Sequence, residues 1–218
     1  MYYRKRLILY CERVYFLLKN TGIVSLVPLL VINIILPVFA LFLYRARGLC
    51  DEFYKSISEL SQIFLPFSSI WIPVLISKEF TDSDGKEILS MGRKSKNIWI
   101  ILLMFLLYCC NIFMVFTLFN LLFSVQYAEL VKIILVSVFY FGCTIFVSRI
   151  TQNTSVTVLL LILYTLSNFI FYKMQGVFPF YYTNVPTTVT MIENTLLPLS
   201  LIGVLLCIFG CCIKIKVK

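Results

Sequence analysis

The sequence contains no histidine and little charge, since Asp, Glu, Lys and Arg together make up 13% of its 218 residues. Histidine is the side chain that most often changes protonation near neutral pH, so histidine-based triads and proton relays are excluded. Glycine is also scarce, with eight residues that do not cluster, and no G-x-x-x-x-G-K-[ST] loop is present to bind phosphates. These absences predict that the chain is not an enzyme and has no ATP site of its own.

Apolar residues are abundant instead, at 61% of the chain, against roughly 45–50% in soluble domains. The net charge is +9, but the basic residues lie in short segments between long apolar runs. That pattern is typical of membrane orientation rather than of nucleic-acid binding. The eight cysteines fall mostly within or beside apolar runs without the spacing of a metal site, so they are interpreted as packing residues.

Six apolar runs predict an all-α integral membrane protein with six transmembrane helices, because each run reaches the roughly 17–25 residues that span a bilayer. The runs lie at 22–44, 58–77, 98–124, 130–148, 154–172 and 195–213. The fourth run has Lys132 near its start, and this side chain is expected to snorkel to the interface. The full domain covers 21–218.

Residues 1–20 precede this domain and place basic and apolar side chains on opposite sides of a helix. The pattern predicts an N-terminal amphipathic helix that lies in the membrane interface. A cytosolic helix packed on another element is the alternative interpretation.

The distribution of basic residues predicts the orientation. Fourteen of the 19 Lys and Arg residues fall in the segments that share a side with the two termini, so both termini are placed in the cytoplasm of a multi-pass cell-membrane protein. Segment 78–97 is then a cytosolic loop, and segment 173–194 is an outer loop. The charged residues lie in loops or near helix ends, with Glu59 the nearest exception, which disfavours an ion-coupled mechanism.

The cytosolic loop 78–97 carries both charge signs and a few apolar anchors, and it reads either as an amphipathic docking element or as a solvated connector. Its order of residues resembles the coupling helix of ABC-2 type exporter permeases: an acidic residue leaves the second span, Gly-x-Glu and Leu-Ser follow, and a basic cluster starts the third. The residues assigned to coupling on this resemblance are Glu79, Phe80, Gly85, Glu87, Leu89, Ser90, Arg93 and Lys94.

The resemblance extends to the layout of nearly the whole chain and implies a complex of two permeases with two cytosolic ATPase subunits. The second permease is either an identical or a different chain. ATP and magnesium would be bound by the ATPase, and this chain would bind no cofactor. A hydrophobic or amphipathic substrate is expected, with a small peptide favoured and a lipid-linked glycan or a drug left open.

Polar residues on two of the predicted spans form a possible translocation path, since in the family these spans line the interface between the permeases. The alternative is that they bond within their own helix or join neighbouring helices. The path residues are Ser61, Gln62, Ser69, Thr157, Tyr164, Asn168 and Tyr172.

Two other functions are compatible with six helices and this length. One is the membrane substrate-binding subunit of a vitamin importer, a class that lacks a charged coupling loop between the second and third spans. The other is a non-transporting, immunity-type membrane protein, which needs no ATPase.

Overall fold

The computed structural model describes residues 26–81, 95–171, 181–182 and 187–213, and within these residues the chain is helical without a β-strand. The predicted interfacial helix at 1–20 lies outside the described residues. The helices are numbered here in chain order. They are α1, Val27–Arg47; α2, Asp51–Thr81; α3, Ser95–Phe123; α4, Tyr127–Thr151; α5, Thr154–Ile170; and α6, Val189–Cys212.

Each of the six apolar runs lies largely within one of these helices, but the helix ends differ from the predicted ones. The helix α2 begins at Asp51 rather than at the predicted residue 58, so only residues 48–50 connect it to α1. Its first turn carries Asp51 and Glu52, and negative charge is stabilising at a helix N-terminus. At 31 residues, α2 is about 46 Å long, which exceeds the roughly 30 Å hydrocarbon core of a bilayer.

Four segments are long and apolar enough to cross a membrane, by length and composition: α1, Leu102–Phe123 of α3, α4 and α6. Their outward faces carry large apolar side chains, with Phe42, Met114 and Leu121 exposed by 68%, 69% and 75%. Apolar exposure on this scale is unfavourable in water and favourable in lipid. The described residues are therefore those of an all-helical, membrane-embedded protein.

Local sequence explains where the shorter connections form. Gly48 follows α1 with a φ of 69°, a left-handed conformation that glycine adopts without steric cost. Asn153 precedes α5, and its side chain accepts hydrogen bonds from the backbone N–H groups of Ser155 and Val156. Such a cap satisfies donors that the first helical turn leaves without partners.

The first and last helices share an unusual backbone feature, a π turn followed by Leu-Pro. The π turns are Val31–Ile35 in α1 and Ile192–Leu196 in α6, and Pro37 and Pro198 follow after one intervening leucine. Proline has no N–H group to complete the regular helical ladder. In each case the preceding leucine N–H bonds to the carbonyl five residues back, so both helices continue past the proline.

The centre of the bundle is α4, whose apolar window is 56% buried against 22–33% in the other three apolar segments. It packs most extensively on α6, where glycines bring the two backbones together. A Cβ atom on Gly142 would lie 1.9 Å from the carbonyl oxygen of Gly203, and a Cβ on Gly203 would lie 2.5 Å from Cα of Phe139. Small residues permit such close approach between membrane helices.

We expect Gly142→Ala to lower the melting midpoint of the detergent-solubilised protein clearly, because the added methyl group meets backbone that cannot move aside. Overpacking of this kind costs about 1–3 kcal/mol. Gly210→Ala is the matched control, since its Cβ would lie 3.0 Å from its nearest neighbours and calls for a smaller adjustment. Equal midpoints for Gly142→Ala and the wild type would contradict the backbone contact.

Candidate functional site

A buried carboxylate joins three separate parts of the chain at the N-terminal end of α4. Glu129 lies in the first turn of α4 and is 7% exposed. Its Oε2 accepts a hydrogen bond of 2.9 Å from Ser58 Oγ of α2. Its Oε1 accepts bonds from the backbone N–H and from Oγ1 of Thr187, at 2.9 and 2.7 Å. We call Ser58, Glu129 and Thr187 the Glu129 clamp.

The clamp is well suited to an ionised carboxylate. Hydrogen bonds to a charged acceptor contribute about 1.5–3 kcal/mol each, more than bonds between neutral groups. The N-terminal position on α4 adds the favourable field of the helix dipole. A further polar side chain, Gln62, donates from Nε2 to Ser58 Oγ at 2.8 Å, which orients the serine so that its own hydrogen points to Glu129.

Lys132 follows Glu129 by one helical turn and is fully buried, with 0% of its surface exposed. The prediction that it snorkels to the interface is therefore wrong. Leaving water is costly for an ammonium group, and Glu129 lies one turn earlier on the same face of α4, where opposite charges interact favourably. The structure thus holds a buried acidic and a buried basic residue within one turn.

A second group of side chains consists of three tyrosines that pack together, Tyr140 of α4, Tyr164 of α5 and Tyr181, and we call it the tyrosine cluster. The Tyr140 hydroxyl lies 2.8 Å from Thr165 Oγ1 and 3.0 Å from the Tyr181 hydroxyl. The ring of Tyr164 packs against both other rings, with centroids 5.8 and 6.3 Å away. Aromatic pairs at these separations are favourable.

Tyr181 is also held through its backbone, because its N–H donates to Oδ1 of Asn168 at 2.9 Å. Burial raises the pKa of the Tyr181 phenol, although its hydrogen bond with Tyr140 opposes this rise. The phenol is therefore a neutral donor and acceptor at neutral pH. Both Tyr181 and Thr187 precede α6, and each forms a hydrogen bond to a residue of the helical bundle.

The predicted path residues on α2 lie in the interior of the described bundle. Ser61, Gln62 and Ser69 are all 3% exposed or less. The Ser61 hydroxyl donates to the Ile57 carbonyl at 2.7 Å, and the Ser69 hydroxyl donates to the Pro66 carbonyl at 2.6 Å. Ser69 also reaches α4, where the Ser137 carbonyl lies 3.4 Å away. These bonds are of the kind that Ser and Thr commonly form in membrane helices.

The path residues on α5 follow the same pattern. Thr157 and Asn168 are 0% and 1% exposed, and Tyr164 is half-buried. Thr157 Oγ1 donates to the Asn153 carbonyl at 3.0 Å, while Asn168 Nδ2 donates to the Tyr164 carbonyl at 2.8 Å. Tyr172 lies outside the described residues. A role for this set in translocation stays a prediction.

The coupling residues are described only at their first two positions. Glu79 and Phe80 lie in the last turn of α2, where the backbone course alone is described. The other six residues lie outside the described part of the chain. They are Gly85, Glu87, Leu89, Ser90, Arg93 and Lys94.

Sequence reasoning did not identify the residues that hold the site together. Thr187 is 58 positions from Glu129 in the chain, and no local pattern joins them. A weak signal was present in Glu129 and Lys132, since opposite charges one turn apart at the start of an apolar run form a pair on one helix face. Tyr140 and Tyr181 gave no polar signal, because tyrosine is common in apolar runs.

Among the described residues, no group of three or more His, Cys, Asp or Glu side chains is placed to hold a metal ion. No family model, no curated protein and no solved structure matches this chain.

We expect Lys132→Met to destabilise the protein, because it removes the positive charge that lies one helical turn from the buried Glu129 carboxylate. Lys55→Met is the matched control, since Lys55 is exposed on α2 and its loss leaves no buried charge. The measurement is unfolding by SDS titration in mixed micelles.

Addition of Glu129→Gln to Lys132→Met completes a double-mutant cycle. We expect the pair to be less destabilising than the sum of the two single substitutions. Strict additivity would show that the two charges do not interact.

Proposed function

We propose that this protein is the permease subunit of an ATP-driven exporter of the ABC-2 type, energised by a separate cytosolic ATPase. The observation that carries this proposal is the order of acidic, glycine, apolar and basic residues from Glu79 to Lys94, which resembles the coupling helix of that family. Its place in the fold supports the proposal. The segment connects the end of α2 at Thr81 to the start of α3 at Ser95, where a partner can act on two long helices.

The length of α2 gives the coupling a mechanical basis. A helix of about 46 Å extends beyond a hydrocarbon core of about 30 Å, so the same element reaches both the partner and the far side of the bundle. A push on the segment after Thr81 is then transmitted along α2 toward Ser58. The ATPase would hold ATP and magnesium, and two such subunits would act on a pair of permeases, alike or different.

The proposed topology has six membrane spans, with both termini in the cytoplasm of the cell membrane. The four long apolar segments supply four spans. The remaining two are α2 and the 17-residue α5, which is at the short end of the range that spans a bilayer. In this orientation the Glu129 clamp and the tyrosine cluster lie toward the outer face.

A hydrophobic or amphipathic substrate, such as a small peptide, agrees best with the composition. The outward helix faces are apolar, and the predicted path residues on α2 and α5 carry hydroxyl and amide groups rather than charges. A substrate that enters from the lipid or along its edge would meet surfaces of matching polarity.

Two native cysteines test the topology. Cys50 lies between α1 and α2, and Cys212 is exposed at the end of α6. In single-cysteine variants, we expect a membrane-impermeant maleimide to label Cys50 in intact cells and Cys212 only after permeabilisation. Labelling of both cysteines in intact cells would contradict an arrangement that places them on opposite sides.

Co-purification with a candidate ATPase tests the function. We expect the wild type to retain the ATPase in detergent, and Glu79→Arg with Glu87→Arg to lose it while the permease keeps its melting midpoint. The matched control is Glu52→Arg with Glu193→Arg, which reverses two exposed carboxylates at the opposite end of the bundle. Equal retention by all three proteins would show that 78–97 is only a connector. A permease that binds no ATPase at all would favour a stand-alone function.

A further inference from the structure

Two parts of the bundle are joined to α4 in different ways. The helices α4 and α6 meet backbone to backbone at Gly142 and Gly203. The helix α2 meets α4 through side chains, including the bond from Ser58 to Glu129 at 2.9 Å. A contact between backbones opens only if whole helices separate, whereas a side-chain hydrogen bond exchanges with a change of rotamer. The joint between α2 and the α4–α6 pair is therefore the more readily opened of the two.

The bonds of Glu129 are distributed unequally between its two neighbours. Thr187 donates twice to Oε1, from its backbone and from its side chain. Ser58 donates once, to Oε2. When α2 moves relative to α4, the single bond breaks before the double one. Glu129 then stays attached to the residue that leads into α6.

We propose that the Ser58–Glu129 hydrogen bond is a conformational latch that holds the N-terminal half of α2 against the α4–α6 pair. Its release lets α2 move while Thr187 stays bound to Glu129. The part that this latch plays in transport rests on the proposed function, because α2 is the helix that leads into the coupling segment. Glu129 thus keeps its bonds to Thr187 in both states. The bond from Ser58 is the one that is broken and re-formed.

The course of α2 agrees with such a movement. Pro66 and Pro73 lie inside the helix, between Ser58 and the end at Thr81. Each proline removes one backbone hydrogen bond from the ladder and lowers the resistance of the helix to bending. The part of α2 that carries Ser58 can therefore tilt away from α4 while α2 stays helical.

Spin-label distance measurements test the latch in the full chain. Labels are placed at positions 55 and 189, which are both exposed, in a background whose native cysteines are replaced and whose melting midpoint matches the wild type. We expect one short distance to dominate. Ser58→Ala should increase the population at longer distance about tenfold, the effect of losing one charge-assisted hydrogen bond.

Two controls accompany Ser58→Ala. Ser56→Ala removes a hydroxyl from the same helix that donates to the Glu52 carbonyl of α2 and accepts from Arg47 Nη1 of α1. Neither of these partners belongs to α4, so it should leave the distances unchanged. Ser58→Thr keeps a donor and should restore the short distance. If Ser58→Ala does not yield folded protein, Glu129→Gln replaces it, with a smaller shift expected because a neutral acceptor remains. Unchanged distances in the variant used, or equal shifts with Ser56→Ala, would overturn the latch.

The same labels separate the latch from the proposed function. In a reconstituted complex with the ATPase, ATP should move the distances toward those of Ser58→Ala, which supports a role in transport. If Ser58→Ala shifts the distances and ATP does not, the latch stands and its role in an ATP-driven cycle is rejected.

Discussion

The backbone contact between α4 and α6 fixes the arrangement on which the rest of the bundle depends. Glycine at positions 142 and 203 lets the helices approach until any side chain would collide with main-chain atoms. The helix α4 is also the most buried of the apolar segments, and α2, α3 and α5 all pack on it. The positions of these three helices are therefore set relative to one rigid pair, and the Glu129 clamp ties α2 to that pair at a single end.

The polar groups of the bundle follow from the low dielectric of its surroundings. Hydrocarbon offers no hydrogen bonds, so a hydroxyl or carboxylate at membrane depth must find its partner within the protein. Ser61 and Thr157 satisfy this need within their own helices. Glu129, Tyr140 and Ser69 instead reach other elements, so these groups help to specify how the helices are placed.

The sequence predicted the approximate positions of the helices, because each contains an apolar run, but it did not predict where α2 and α6 begin. It could not predict their tertiary partners. The helical spacing of Thr157 and Asn168 predicted a common face, but not that this face is turned into the interior. Hydropathy alone placed Lys132 at the interface, since it takes no account of a carboxylate one turn away. The bonds from Glu129 to Thr187 depend on how the chain returns to the bundle, and no local pattern records that return.

The π turns lie near the N-terminal ends of α1 and α6, after four and three helical residues, and they change how the residues on either side face their surroundings. A π turn accommodates one more residue than a regular turn, and one residue corresponds to a rotation of about 100°. The side chains after Pro37 are thus offset by this rotation from the direction that an unbroken α-helix would give them, and the same holds after Pro198. A helical-wheel pattern drawn straight through either helix therefore misplaces its first turn. That turn faces a direction rotated by about 100° from the one that the rest of the helix would predict for it.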